Sequence, residues 1–507
     1  MGVIQKDAFR TMMLSYLGLI LGYVNKGVLF IIFLTTDQVG LVNLLISVGL
    51  LFAQFANLGS VYATWKFFPF FRNPNKKNYG FLLLTTLIVC FGALIFSIVS
   101  IALKGVVSDY YYEKSKMFVD YYYWIIPIGI ANVFFMLFES YLKGLYQNLL
   151  PVFSYELLLR LLITALLGIY GFGGMSFNLF LVLHCLVYFI PTIILAVYLI
   201  RIKELHFSLS SITVPARFKK IMLRFSMLSY VNTLGALIVT TMDAMMITYM
   251  LGLEATGVYT TVIYLTSALQ IPYKSLIRVS STLIPVYWKE NNMKAMENLY
   301  RRVSSICLVT GIFMFMMVWI NREELFGFLP AEYHEGIWVF LFLMVGRLLD
   351  MYFGLNGSIF ITSKKYKYDI VFTVSLMAIV FVLNLFFIPA YGVTGAAIST
   401  GLAYVVYNTG RLLFVYFVYG LHPFSWSQCK VIALFAVNIL LFELLPPVFG
   451  YPVADMALKS VIFLCSFGGV TYWFNLEPEI KGYVRKGILF VRQKSGIGRS
   501  SVQENEF

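Results

Sequence analysis

Charge is what this sequence has least of: Asp, Glu, Lys and Arg make up 12% of its 507 residues, about half the usual share in a soluble domain. Hydrophobic residues make up 60%, and mean hydropathy is +0.82. Apolar runs of this number and length exclude a soluble fold and make lipid the solvent for most of the surface. Cysteine is scarce as well. Cys90, Cys185, Cys307, Cys429 and Cys465 are scattered, with no Cys-x-x-Cys, so they imply neither metal nor disulfide and read as small packed hydrophobes. Long loops are missing, which leaves no room for a soluble catalytic domain. The formal net charge of +14 sits in short loops between apolar runs, a pattern of membrane orientation rather than of nucleic-acid binding.

What is present is an all-α polytopic membrane protein of about fourteen spans, each roughly twenty residues long to cross a core of roughly 30 Å. The run 12–33 behind Lys6 and Arg10 is too long for a signal peptide and lacks a cleavage site, so it reads as a retained first helix. Spans fall near 12–34, 39–65, 79–103, 121–146, 149–171 and 176–199, making an N-lobe over 1–200. A basic linker, 201–224, follows. A C-lobe over 225–420 carries spans near 225–250, 256–287, 304–327, 336–361, 368–389 and 394–419. Two further spans, near 429–449 and 456–475, lie in 421–476, and a basic polar tail occupies 477–507.

Loop charge fixes the expected orientation. With both termini cytoplasmic, the clusters Arg72-Lys76-Lys77, Arg217-Lys219-Lys220, Arg301-Arg302, Lys364-Lys365-Lys367 and Arg485-Lys486 all fall inside, while Glu323, Glu324, Glu332 and Glu335 fall outside. A single wrong span would invert every later loop.

The lobes read as a parallel repeat. A shift of 217 residues lays Leu34-x-x-Asp37-x-x-Gly40 on Leu251-x-x-Glu254-x-x-Gly257, and a shift of 221 lays Tyr170-Gly171-x-x-Gly174 on Tyr391-Gly392-x-x-Gly395. The first shift also sets Lys26 against Asp243, which predicts that both face the seam between lobes and leaves a pair between them as one way to meet the Asp243 charge.

The stretch from Asp243 to Gly252, followed by Gly257-Val-Tyr259, resembles the seventh and eighth helices of polysaccharide exporters. Ile388-Pro-Ala-Tyr-Gly-Val-Thr-Gly-Ala-Ala-Ile398 resembles their Pro-x-Tyr-Gly-x-x-Gly-Ala-Ala signature before the twelfth helix. These are the Wzx-type flippases of the multidrug/oligosaccharidyl-lipid/polysaccharide (MOP) exporter superfamily. The resemblance implies two six-helix lobes around a central cavity, plus two C-terminal helices, working by alternating access in a bacterial inner membrane. It implies a cargo of polyprenyl-diphosphate-linked glycan moved to the outer leaflet for O-antigen lipopolysaccharide, capsule or exopolysaccharide synthesis. Other polysaccharide-assembly proteins are candidate partners. Lipid II flipping is the sister reading, although lipid II flippases tend to carry several arginines in the first lobe's cavity and here only Lys26 lies at depth. Cation-coupled multidrug efflux comes next, and a membrane polymerase or glycosyltransferase last, since the outer loops are short.

An ionisable residue at mid-bilayer normally faces protein or a watery cavity. Arg and Lys suit a diphosphate, so the candidate cargo ligands are Lys26 with its neighbour Asn25, the stripe Gln270, Lys274 and Arg278 at i, i+4 and i+8, and Arg347. Arg278 has the alternative of snorkelling to headgroups. Asp243 has no basic residue three or four positions away; with Glu139 and Asp350 it is a candidate for coupling to H⁺ or Na⁺, and no other cofactor is implied. Glu156–Arg160, Arg347–Asp350 and Glu139–Lys143 can equally be local neutralising pairs. His184 reads as a packed, hydrogen-bonded core histidine, and the tyrosines at 110–112 and 121–123 as an interfacial belt.

Overall fold

The computed structural model describes residues 2–73, 78–204, 216–444, 450–473 and 481–482. Lys76 and Lys77, residues 205–215 of the basic linker and the tail residues Arg485 and Lys486 lie outside these residues. The chain is all-helical, 88% helix with no strand among the described residues.

The helices are α1 (Arg10–Phe33), α2 (Thr36–Ala56), α3 (Ser60–Phe71), α4 (Phe81–Ala102), α5 (Lys104–Tyr121), α6 (Ile125–Gly144), α7 (Leu149–Gly171) and α8 (Phe177–Arg201). They continue with α9 (Ala216–Met250), α10 (Leu253–Leu269), α11 (Ile271–Ser280), α12 (Ile284–Glu290), α13 (Met293–Trp319) and α14 (Arg322–Gly327). The last are α15 (Gly336–Tyr352), α16 (Leu355–Thr362), α17 (Tyr368–Tyr419), α18 (Trp426–Glu443) and α19 (Pro452–Trp473).

Among the described residues, eleven helical stretches are long and apolar enough to cross a membrane, and the bent pair α15–α16 makes a twelfth. One more span is hidden by the chain's own geometry. Within α17, Gly392 adopts φ 59° and ψ −138°, a region open essentially to glycine. A Cβ on Gly395 would lie 1.9 Å from the Phe387 carbonyl oxygen, whereas residues eight apart in a straight helix stand about 12 Å apart. The Tyr-Gly-x-x-Gly signature is therefore a reversal, and α17 is two spans. With the pair α10–α11 in the place of the span expected over 256–287, the helices match the about fourteen that the sequence leads one to expect.

The span expected over 39–65 is broken. After α2 the chain turns through Leu58 (φ 46°) and Gly59 (φ 77°), with the Asn57 side chain accepting from Gly59 N–H at 2.7 Å, and α3 runs on to Phe71. The span expected over 256–287 breaks in the corresponding place. Gln270 sits between α10 and α11, and Pro272 in the first turn of α11 lacks the N–H that a continuous helix would need. Both breaks leave polar side chains inside an apolar run.

Two compact units emerge from the packing, and the grouping cuts across the sequence repeat. The first comprises residues 1–265, 330–340 and 373–400; the second comprises 266–329, 341–372 and 401–507. In the first unit, α2 begins with a capping box in which Thr35 and Gln38 exchange side-chain-to-backbone hydrogen bonds, and Asp37 lies in the first turn. Glu254 takes the same place in α10. A carboxylate there is favoured by the helix dipole, which explains the acidic position of the repeated motif. Its glycine has another cause. A Cβ on Gly40 would lie 2.0 Å from the Leu253 carbonyl oxygen, and one on Gly257 would lie 2.2 Å from that of Thr36. Residues 36 and 253, and 40 and 257, differ by the same 217, so the two contacts exchange under a local two-fold. Asn43 and Thr260 obey the same relation and hydrogen-bond at 3.1 Å.

The second unit is knit by a core of Ile284, Met296, Tyr300, Cys307, Leu355 and Phe360. Its C-terminal pair is fastened at one end by Lys459–Glu324 (2.5 Å) and Arg322–Glu443 (2.9 Å).

Candidate functional site

In the first unit, the polar chemistry gathers where α1 loses its regular α-helical pitch. Asn25–Leu29 is a π-helical turn, and a second π-helical turn, Phe153–Leu158, opens α7. Such turns carry an extra residue and recur at functional sites. Asn25 is buried, donating to the Arg160 carbonyl at 2.9 Å and accepting from Thr164 Oγ1 at 2.7 Å. Both ends of its amide thus tie α1 to α7, and the geometry makes it a positioning residue.

Lys26 is half-buried. Its Nζ donates to Asn43 Oδ1 at 3.0 Å and lies 5.2 Å from the centroid of the Tyr264 ring, a cation–π distance. Asn43 passes the connection on to Thr260. Arg160 and Glu156 form an ion pair at 2.5 Å with side chains 25% and 34% exposed. The Arg160 guanidinium approaches α1 at a notch: a Cβ on Gly22 would meet it at 2.9 Å and the Tyr264 hydroxyl at 2.7 Å. Glu139 pairs with Lys143 at 2.8 Å.

Asp243 does not pair with Lys26. Its carboxylate, 2% exposed, accepts from Tyr259 Oη at 2.7 Å, from Asn384 Nδ2 at 2.7 Å and from Thr400 Oγ1 at 2.6 Å. In place of an ion pair across the repeat stand two separate neutral shells, because Asn43 reaches Lys26 and three uncharged donors reach Asp243. The three donors come from α10 and from both spans of α17. The donor atoms are all hard oxygens apart from the amide nitrogen, and Asn384 Oδ1 is buried without a partner. Oxygen-rich shells of this kind suit a proton or an alkali cation.

In the second unit, Arg347 donates to Gln270 Oε1 at 3.0 Å, and Asp350 accepts from Asn408 Nδ2 at 3.3 Å. Gln270 belongs to the break before α11 rather than to the helix itself, so the predicted stripe is carried by two elements. Lys274 and Arg278 remain one turn apart on α11 and are exposed. Deeper lies an ion pair that the spacing did not reveal, Arg411 with Asp369, with side chains 10% and 6% exposed. Arg411 also stacks 4.8 Å from the Tyr407 ring.

His184 is packed but not hydrogen-bonded. Both ring nitrogens are buried without a partner, inside a box of Phe30, Phe180 and Tyr188 rings. Among the tyrosines, Tyr110 and Tyr112 are exposed, whereas Tyr111 donates to the Met245 carbonyl at 3.3 Å and Ser115 to that of Thr248 at 2.9 Å. Lys114 reaches the Met250 carbonyl as well, so α5 caps the C-terminal end of α9.

Sequence reading missed Asn43, Tyr259, Thr260, Tyr264, Asn384 and Thr400. The shift of 217 that pairs positions 43 and 260 was the one available signal.

No protein-family model matches the chain, and no curated protein matches it. Solved structures do. The chain is similar to the lipid II flippase MurJ in an inward closed conformation, at TM-score 0.67 and 13% identity, covering 92% of this chain and 99% of that one. It is similar to an inward-facing multidrug resistance MATE family transporter of the MOP superfamily, at TM-score 0.63 and 13% identity, covering 80% and 97%. A MOP superfamily transporter from Pyrococcus furiosus gives TM-score 0.54 and 15% identity, covering 81% and 95%. The fold is therefore that of MOP-superfamily transporters, and the chain is a multi-pass membrane protein.

Proposed function

We propose that this protein is a flippase that moves a polyprenyl-diphosphate-linked oligosaccharide from the cytoplasmic to the outer leaflet of a bacterial inner membrane, by alternating access, for surface polysaccharide synthesis. The observation that carries the reading is a cation kept inside an apolar helix by neutral partners only. Lys26 is held by Asn43 and the Tyr264 ring, an arrangement that positions its charge without cancelling it and so leaves it for an anion. Arg160, at the Gly22 notch, is by contrast engaged by Glu156. A diphosphate is the anion that a lipid-borne cargo would bring to this depth.

Coverage bears on the class of cargo. The match to the lipid II flippase takes in 92% of the chain, against 80% for the MATE transporter. A fold shared with a lipid-linked carrier over more of the chain favours lipid-linked cargo over soluble drugs. Lipid II itself is the second reading.

Coupling falls to Asp243, whose shell of Tyr259, Asn384 and Thr400 would hold a proton or Na⁺. Glu139 is engaged by Lys143, and Asp350 by Asn408. In the second unit, Lys274, Arg278 and Arg347 are candidate anion ligands in their own right.

The experiment is deletion of the gene in its host, with surface polysaccharide, viability and lipid-linked intermediates read together. A viable strain that lacks one surface glycan and accumulates its lipid-linked unit in the inner leaflet is the expected result. Lethality with accumulated lipid II would move the assignment to the cell-wall precursor, and an intact surface with new drug sensitivity would move it to efflux.

A further inference from the structure

The Lys26 cation answers for the diphosphate but leaves unused a cavity lined by Glu156, the ion-pair partner of Arg160. It measures about 250 Å³ and lies between α6 and the π-helical turn of α7, with Asn132, Phe135, Glu139, Tyr155 and Glu156 in its wall and Leu50 of α2 closing it. That is smaller than the roughly 300–1,000 Å³ of a drug-sized pocket, and suits one ring-sized group.

Its charge decides what kind of group. Two carboxylates would ordinarily suggest a cation, yet each is already balanced by the residue four positions on, Glu139 by Lys143 and Glu156 by Arg160. The site as a whole is neutral. Each ion pair engages one carboxylate oxygen, Oε1 of Glu139 and Oε2 of Glu156. The other oxygen of each accepts no hydrogen bond among the described residues. Strong acceptors in a neutral pocket call for a ligand rich in hydroxyl donors. The apolar wall fits the same ligand: Tyr155 and Phe135 stack at 4.5 Å, and Tyr155 Oη is fixed by donating to Asn132 Oδ1 at 3.1 Å. Aromatic carbon beside carboxylate oxygen matches the apolar face and polar rim of a pyranose.

Position then selects which sugar. The π-helical turn brings Glu156 against α1, where a Cβ on Gly18 would lie 2.2 Å from the Glu156 carbonyl oxygen. Glu156 borders the cavity and pairs with Arg160, which lies at the Gly22 notch one turn from Lys26. We infer that this cavity binds the sugar carried directly on the cargo's diphosphate, with Glu139 and Glu156 accepting its hydroxyls while Lys26 holds the phosphates. The inference rests on the flippase reading and names a subsite within it.

The test uses the purified full chain in lipid nanodiscs and two probes, undecaprenyl diphosphate and undecaprenyl-diphosphate-N-acetylglucosamine, with bound lipid counted by native mass spectrometry. The sugar-bearing lipid should bind roughly tenfold more tightly, as expected for one or two charge-assisted hydrogen bonds. Glu139→Gln, which keeps shape and removes charge, should cut that ratio to about twofold; Met136→Trp, which fills the cavity, should do the same. Equal binding of both probes to the wild-type chain would overturn the sugar subsite and leave the flippase reading intact. Free N-acetylglucosamine binding as tightly as the lipid-linked form would overturn the link to the diphosphate. Failure of the folded chain to bind either lipid would overturn the flippase reading itself.

Discussion

A methyl group at Gly40 or Gly257 should separate α2 from α10. Cβ atoms essentially never approach another heavy atom closer than 3.0 Å, and Gly40→Ala would place one 2.0 Å from the Leu253 carbonyl oxygen; Gly257→Ala would place one 2.2 Å from that of Thr36. The obstacles are backbone atoms of helices, which cannot swing aside as a side chain can. The helices must therefore part by about 1 Å at this crossing. Overpacking of this kind costs about 1–3 kcal/mol, and the parting also weakens the 3.1 Å Asn43–Thr260 hydrogen bond, adding about 0.6–1.7 kcal/mol. Each single variant should lose about 2–4 kcal/mol, a fall in melting temperature of several degrees measured on purified protein in detergent. The two-fold relation predicts more than size. Both substitutions act on one crossing, so the double variant should lose little beyond either single one. Full additivity, or a neutral effect of either change, would refute the reciprocal contact on which the reasoning stands.

Removing the Lys26 charge should stop transport without unfolding the chain. Lys26→Ala, and separately Lys274→Ala, should impair glycan export with normal membrane insertion, and normal export in both would remove the diphosphate clamp. Asp369→Asn leaves the Arg411 guanidinium, 10% exposed, without its carboxylate, and should cost about 3–5 kcal/mol by thermal or denaturant unfolding. Combining it with Arg411→Gln should recover at least half of the loss, and no recovery would mean that the two side chains act separately. Asp243→Asn keeps an oxygen for Tyr259 and Thr400, so the protein should fold while cargo uptake into vesicles loses its dependence on a proton or Na⁺ gradient. Unchanged ion dependence would shift coupling to Glu139 or Asp350.

The spans were legible because each needs only about twenty apolar residues, and the loop charges supplied an independent check. The breaks inside spans were not. Leu58 carries no signal in its side chain that its φ is 46°, and Gln270 in an apolar run looks like any tolerated polar residue. Both breaks depend on how the following segment packs. At the sites, isolated charges stood out against lipid and were easily chosen, whereas their partners were not. Asn384 and Thr400 are neutral residues far from Asp243 in sequence, brought to it only by tertiary packing. His184 shows the opposite failure. Its burial was foreseeable, but general satisfaction of buried polar groups implied a hydrogen bond, and the aromatic box around it offers none to the ring nitrogens.

The repeat sets Lys26 in register with Asp243, and it also explains why the two do not pair. Duplication preserves the features that backbones need in order to touch: an acidic first turn, a glycine one turn later and a small polar residue at 43 or 260. Each is under the same steric demand in both copies, and the contacts at Gly40 and Gly257 are accordingly reciprocal. Charge is under no such demand. Beyond the crossing, position 26 became a cation resting on Asn43 and an aromatic ring, and position 243 became an anion enclosed by hydroxyl and amide donors. Had the two formed a salt bridge, each would have cancelled the other and neither would serve a ligand. Neutral partners orient a charge and leave it electrostatically available, at the cost of burying it. Under the proposed function, an anionic cargo exchanged against a cation gradient calls for one such site of each sign, and divergence of the paired positions 26 and 243 would provide both.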